Sequence, residues 1–534
     1  MKPMNIFADR SLAEAFADGA RDHPEAELVV ASQTRGGRHT LAGLFERSRL
    51  LATGLTARGI GAGDVVAVQL PGGAEWIVAA AAIARINAVL LPIVSIYGAH
   101  ELSFILGQSR AKAIITPDRW RGKDSIAAVD AARAGLPGLR HHIVVGDMPA
   151  DADTRLTAWT ELFGAAPDDA HPRKRDDPDA LAMLIYTSGT TSVPKGVCHS
   201  ARTLLSEVHS VSTPWDQSVA ACFLSPWQPG HIAGISPIFA YLATGRKLVL
   251  MDDWNPVDAA RLIEEEGVTV TSFTPVHIAG LLDAVDRTGA DISTLRECSL
   301  GAAPVSPLLV SRCERAGMRV FRRYGATEHP SITAGDPGDA LDKRLSTEGR
   351  CMPGNRIRLV DDFGRDVKAG DEGEIASRGP ERFLGYLDPS LDADAFLPGG
   401  WYRTGDLGRI DDDGYLVLTD RKKDVIIRGG ENISSREVED ILTAHPDIAE
   451  AAAVARPDHR MGERVCAFVV PRESRTVTLD SIREHFASRG VARQKTPEYL
   501  RLVDALPRNA TGKVLKHVLR DGLAAETPAE QQTA

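Results

Sequence analysis

Short apolar runs recur along the chain, separated by longer stretches in which apolar residues return every three or four positions. DVVAVQL (64–70), AVLLPIV (88–94), AKAIITP (111–117), KLVLM (247–251) and VTVTSF (268–273) have the length and β-branched content of buried strands. LAGLFERSRLLATGLTARG (41–59) and PVDAARLIEEEG (256–267) carry the helical period. Their alternation predicts an α/β fold of largely parallel sheets covered by helices. The most apolar stretch, WIVAAAAIARINAVLLPIVSIYG from Trp76, is interrupted by Arg85, Asn87 and Pro92. A membrane span needs about 20 apolar residues with few such breaks. The stretch therefore reads as a buried helix leading into a buried strand.

From about Arg350 the texture changes. RIRLVDDFGRDV and GEIASRG place short strands between glycine- and aspartate-rich turns, which predicts a smaller antiparallel β subdomain. Near Asp420 another unit begins. SSREVEDILTAH predicts a helix with Ser434 as N-cap and Glu437 completing a capping box. EAAAVARP, RVCAFVVP and LDSIREHFASRG then complete a compact α+β domain. The expected division is 1–420, 421–523 and a tail, 524–534, whose lack of apolar pattern predicts disorder.

Composition narrows the class. The 534 residues are 43% hydrophobic and 25% charged, as in ordinary globular proteins, and large enough for several cores. A net charge of −10 argues against a nucleic-acid partner held by bulk electrostatics. Six cysteines without a CxxC pair fit a reducing compartment, with neither a disulfide framework nor a zinc site. The N-terminus lacks the apolar core of a signal peptide, and a cytoplasmic location is expected.

Candidate chemistry starts at YTSGTTSVPKGV (186–197). LAMLIYT (181–187) before it is strand-like, and CHSARTLLSEVHSV after it can form a helix. The loop offers backbone N–H groups around Gly189, the hydroxyls of Thr187, Ser188, Thr190 and Thr191, and the ammonium of Lys195. Donors of this kind suit a polyphosphate. It is not a Walker A loop, because the order is Lys195-Gly196-Val197 instead of Gly-Lys-Ser/Thr. A polar surface loop has the same composition, so the run decides nothing alone.

Four motifs follow it in order: YGATEH (324–329), WYRTGDLG (401–408), DRKKDVIIRGGENISSREVE (420–439) and PRNATGK (507–513). With them, the sequence resembles the adenylate-forming enzymes, the superfamily of acyl-CoA synthetases, luciferases and peptide-synthetase adenylation domains. The resemblance covers nearly the entire chain. It implies a large N-terminal domain of two α/β subdomains plus a β subdomain, and a small mobile C-terminal domain. It also implies a phosphate loop at 187–196 holding the β- and γ-phosphates of ATP. Tyr324 would stack on adenine opposite Ala302 and Ala303. Thr327 would contact the α-phosphate, and Glu328, with Thr187, would hold Mg²⁺. Asp406 would bind the ribose with help from Arg421, and Lys513 would bridge the substrate carboxylate and the α-phosphate. Lys423 matches the hinge about which the C-terminal domain turns between half-reactions, and Gly429-Gly430 would line the thiol tunnel. Taken one by one, these could be surface ion pairs, turn carboxylates or a plain turn.

The same resemblance places the acyl pocket around His231, Gly234, Gly301 and Gly325. Pro229 departs from the pattern, sitting two residues before the histidine instead of three. No aspartate between Ser225 and Pro237 is present to hold an amino group, which disfavours an amino-acid substrate. An apolar pocket suits a medium-chain or alicyclic acid, and the C-terminal segment is similar to bacterial CoA ligases for such acids. The implied reaction uses ATP and Mg²⁺ to make an acyl-adenylate and coenzyme A to accept the acyl group. The alternatives are a stand-alone ligase loading a carrier protein, and a non-catalytic nucleotide-binding module. The latter is disfavoured because Lys513, Glu328 and Asp406 are all present. Further partners admitted by the resemblance are a second copy in a homodimer and a lysine acetyltransferase acting on Lys513. Ser192, where the family has glycine, is the departure within the phosphate loop.

Overall fold

The computed structural model describes residues 9–150, 154–164, 177–187, 194–213, 215, 221–301, 305, 307–429, 431–458, 460–489, 491–509 and 512–524. Two large sheets form the body. The eight-stranded sheet runs Gly385–Tyr386, Lys195–Ser200, Leu181–Thr187, Val89–Pro92, Val65–Val68, Ala113–Pro117, His141–Val145 and Leu156–Ala158. The nine-stranded sheet runs Arg350–Cys351, His329–Ala334, Arg319–Ala326, Glu297–Leu300, Val270–Phe273, Cys222–Ser225, Lys247–Met251, Glu27–Ala31 and Gly37–Thr40. The central strands are parallel and buried on both faces, as the unbroken apolar runs predict. All five strand candidates form strands, and both helix candidates form helices, at Leu41–Ala57 and Pro256–Glu266.

One core joins the two sheets. Val66, Val68 and Leu90 from the first meet Leu28, Leu248 and Phe321 from the second through intervening helices. The expected buried helix is Ala74–Arg85, with Trp76 fully buried, and it leads into Val89–Pro92. Helices Ala201–Ser212 and Ile232–Thr244 lie in the same layer, which encloses polar residues such as Thr203, Ser206, Glu207, Ser210 and Ser236.

The third sheet is antiparallel and contains Arg356–Val360, Gly373–Arg378, Trp401–Ile410, Leu416–Arg421 and Phe396–Leu397. The C-terminal sheet begins at Ile426–Arg428, with helices Ser435–Thr443 and Leu479–Ser488 packed on it. Two local expectations change. The Ser434 side chain does accept from Glu437 N–H, but the Glu437 carboxylate does not return the bond; it pairs with Lys495 at 2.7 Å. A lysine offers the carboxylate a charged partner, which outcompetes a backbone amide. Ser434 Oγ instead donates to Thr419 O at 2.9 Å, tying the helix to the antiparallel sheet. The second change concerns the phosphate loop. Lys195–Ser200 is a strand, and the helix starts only at Ala201. Thr187 pairs with Lys195 across the antiparallel ladder, so a strand and not a helix N-terminus begins at Lys195.

Candidate active site

Strand register assembles the site. Val197 pairs with Tyr386 and Cys198 with Gly385, which adds Gly385–Tyr386 as an edge strand beside the hairpin. The Tyr386 ring then lies 5.1 Å from Lys195 Nζ, and its hydroxyl donates to Glu328 Oε1 at 2.8 Å. Behind the next residue, His199 Nε2 sits 2.8 Å from the Thr327 carbonyl, which can only accept, so Nε2 carries the proton. Burial pushes this imidazole down to about 4, which keeps it neutral. Thr327 is thus held by a strand more than a hundred residues earlier, and Glu328 by the edge strand that follows it in the chain. Neither Tyr386 nor His199 was expected from the sequence, because each acts through pairing with distant strands and carries no local motif.

A second constellation faces the C-terminal domain. Asp406 and Arg421 are register partners on adjacent antiparallel strands, and Arg421 Nε lies 2.7 Å from Asp406 Oδ1. Tyr324 donates to Asp406 Oδ2 at 2.8 Å. Burial raises the Tyr324 phenol well above its usual range, so it stays a donor. The Asp406 charge raises the Arg421 guanidinium. Lys513 reaches the same place: burial first, then the Arg421 charge, lower its ammonium to about 8, while Asp406 opposes the drop. Lys423 is lowered to about 8 too, by burial, with Asp424 opposing the drop. Its neighbours in the turn are closed by Asp424 and Val425 N–H groups donating to Arg421 O.

On the acyl side, His231 precedes helix Ile232–Thr244, and burial pushes its ring down to about 4. Among the described residues its Nε2 is buried without a hydrogen-bond partner. A merely structural histidine would be satisfied; this one has an open position. The glycines divide differently. A Cβ on Gly234 would run into the Gln228 carbonyl, and one on Gly325 into the Pro330 carbonyl. Close backbone approach therefore explains these two glycines without a pocket. At Gly301 a Cβ would stop 3.0 Å from Arg323 O. Gly429 takes φ 59° in the turn between Ile426–Arg428 and Glu431–Ile433, which by itself favours glycine. Ser188, Gly189, Thr190, Thr191, Ser192, Ala302, Ala303 and Gly430 lie outside the described residues.

The arrangement offers a hydroxyl- and lysine-flanked hairpin, a polarised carboxylate and a cation above it. Residues 16–387 match the family described as AMP-binding enzyme, and residues 437–513 its C-terminal domain. The chain belongs to the AMP-binding enzyme family. Its medium-chain fatty-acid–CoA ligase relative from Escherichia coli is 33% identical over 97% of this chain and 91% of its own length. Indoleacetate–CoA ligase from Aromatoleum aromaticum is 34% identical over 95% of this chain and 96% of its own. Among solved structures, ATP-bound MatB from Rhodopseudomonas palustris aligns with a TM-score of 0.84 and 27% identity, covering 96% of this chain and 99% of that one.

As an AMP-binding enzyme the protein is an ATP-using acid–thiol ligase of the adenylate-forming kind, which sets aside the non-catalytic alternative. The site fits a hard cation. Glu328 is buried, and among the described residues Tyr386 engages only its Oε1. Magnesium takes one or two carboxylates and fills its shell with phosphate and water oxygens. No group of three or more acidic, histidine or cysteine side chains forms a cage among the described residues. None of the described helices is long and apolar enough to cross a membrane.

Proposed function

We propose that the protein converts a carboxylic acid to its acyl-adenylate and then transfers the acyl group to coenzyme A. In the first step a carboxylate oxygen attacks the α-phosphorus of ATP and pyrophosphate leaves. In the second the CoA thiolate attacks the acyl carbon and AMP leaves with its electron pair. The reading is carried by Asp406, held by Arg421 at 2.7 Å and by Tyr324 at 2.8 Å, with the buried Lys513 ammonium of the C-terminal domain within electrostatic range of Asp406 and Arg421. Asp406 accepts from the ribose hydroxyls, and Lys513 offsets the charge that accumulates between the carboxylate and the α-phosphate. Thr327, fixed by His199, orients the α-phosphate. Lys195 balances the outer phosphates. Glu328 would hold Mg²⁺, which neutralises phosphate oxygens and leaves pyrophosphate a better leaving group.

The acid is a medium-chain or alicyclic one. Supporting this reading are the similarity to a medium-chain fatty-acid–CoA ligase and the absence of an acidic side chain between Ser225 and Pro237. Incubation with ATP, Mg²⁺, CoA and a panel of acids, read by mass spectrometry, tests it. Acyl-CoA and AMP in equal amounts are expected. Adenylate formation without any acyl-CoA would replace CoA by a carrier protein as acceptor.

A further inference from the structure

Behind the acyl side lies a charged pair that the adenylating chemistry leaves unused. Glu207, on helix Ala201–Ser212, is 4% exposed, and its Oε2 has no hydrogen-bond partner among the described residues. Across from it Arg323, on strand Arg319–Ala326, buries both Nε and Nη2 without a partner among the described residues. Burial pushes the Glu207 carboxyl up to about 7, against the pull of the Arg323 charge. Burial lowers the guanidinium as well. The two feel each other, yet the Nε and Nη2 donors are not spent on Glu207.

Nε–H and Nη2–H point the same way along one edge of the guanidinium, the edge that grips an oxygen or a carboxylate with two parallel bonds. Leaving that edge empty in a buried place costs the desolvation of both donors. His329 nearby is paired on both ring nitrogens, with Ser377 Oγ at 2.9 Å and Asn355 Oδ1 at 3.2 Å. Arg323 also borders the region that the resemblance assigns to the acyl group. Arg323 O is the atom a Cβ on Gly301 would approach. The Ser236 hydroxyl, in the helix that His231 opens, faces Glu207 together with Ser331. Among the described residues, His231 Nε2, Ser331 Oγ and Glu381 Oε2 are further buried polar atoms without a partner.

We propose that Arg323 sets substrate specificity, its Nε–Nη2 edge receiving an acceptor oxygen that the acid carries at the end remote from the carboxyl being activated. The oxygen belongs to a ketone or to a second carboxylate. The inference rests on the acid-activating function above. A plain hydrocarbon terminus would lay methyl groups against unpaired donors, the mismatch that polar sites reject most strongly.

The test compares kcat/KM for acyl-CoA formation with hexanoate, octanoate and decanoate against their (ω−1)-oxo and ω-carboxy counterparts. The parent should prefer one oxygenated series over the plain acids by about a hundredfold or more. Which series wins distinguishes ketone from carboxylate. In Arg323→Met that ratio should collapse; in Arg323→Lys, which keeps charge but loses the two-pronged edge, it should fall part-way. Equal or better use of plain acids by the parent, or an unchanged ratio in both variants, overturns the proposal. Should Arg323→Met not fold, the parent ratio and Arg323→Lys decide. Absence of pyrophosphate exchange with every acid would overturn the ligase function itself, whereas exchange with plain acids and no preference would overturn only the role of Arg323.

Discussion

The phenol of Tyr324 donates a 2.8 Å hydrogen bond to Oδ2 of Asp406, while Nε of Arg421 holds the other carboxylate oxygen at 2.7 Å. Three separate segments therefore converge on one carboxylate. Its orientation is set by the protein, so a ligand of this carboxylate would meet it with little ordering left to do.

Asp406→Asn keeps the shape and removes the charge. A hydrogen bond to a charged group is worth about 1.5–3 kcal/mol, so kcat/KM for ATP should fall about 10- to 100-fold. Titrating ATP in a pyrophosphate-exchange assay reads this directly. An unchanged value would remove Asp406 from the nucleotide site.

In the proposed reaction Lys513 works through its charge, and its ammonium is lowered to about 8 by burial and then by Arg421. The protonated form is the active one. Adenylation should therefore hold below pH 8 and decline as the pH rises through that value. Acetylated Lys513 should lose adenylation at any pH by a factor of about 100–1,000, the size of losing one oriented charge donor. Thioester formation from supplied acyl-adenylate should persist. Equal loss of both half-reactions in the acetylated protein would contradict the assignment.

His199 is fully buried and reaches the Thr327 carbonyl across 128 residues of sequence. His199→Ala should lower thermal stability by about 2–4 kcal/mol through a cavity and an unsatisfied carbonyl. It should also slow adenylation, because Thr327 loses its support. Melting temperature and exchange rate measured on the same preparation check the pair of effects. A destabilised enzyme with a normal exchange rate below its melting point would leave His199 a packing residue only.

Lys423→Pro fixes φ in the turn that joins the antiparallel sheet to the C-terminal sheet. Lys513 feels the charges of Asp406 and Arg421, which the proposed mechanism assigns to the adenylating arrangement. The variant should keep pyrophosphate exchange and lose acyl transfer to CoA. Stopped-flow mixing of preformed acyl-adenylate with CoA would show it, and normal rates in both steps would move the hinge elsewhere.

Much of the frame was legible in the chain. KLVLM and VTVTSF read as buried strands because parallel strands covered on both faces need no polar alternation. The stretch from Trp76 read as buried because its interruptions forbid a membrane span. Less legible were residues whose meaning depends on pairing. CHSARTLL has helical composition throughout, but its first residues are taken as a strand by Leu181–Thr187 on one side and Gly385–Tyr386 on the other. Gly234 and Gly325 are placed at the acyl pocket by resemblance, and only the tertiary structure shows that neighbouring carbonyls require glycine at both positions.

The sequence by itself determined the reaction class, because five motifs in fixed order specify donors, carboxylates and a lysine whose chemistry is intrinsic to the residue types. Tertiary structure alone decided which groups support them. Tyr386 meets Glu328, His199 meets Thr327, and Arg323 comes near Glu207 with its Nε and Nη2 unpartnered among the described residues, because strand register and helix burial bring together residues far apart in the chain. The ladder order that does this is set by competition among many strands for the same edges, and no local pattern records its outcome.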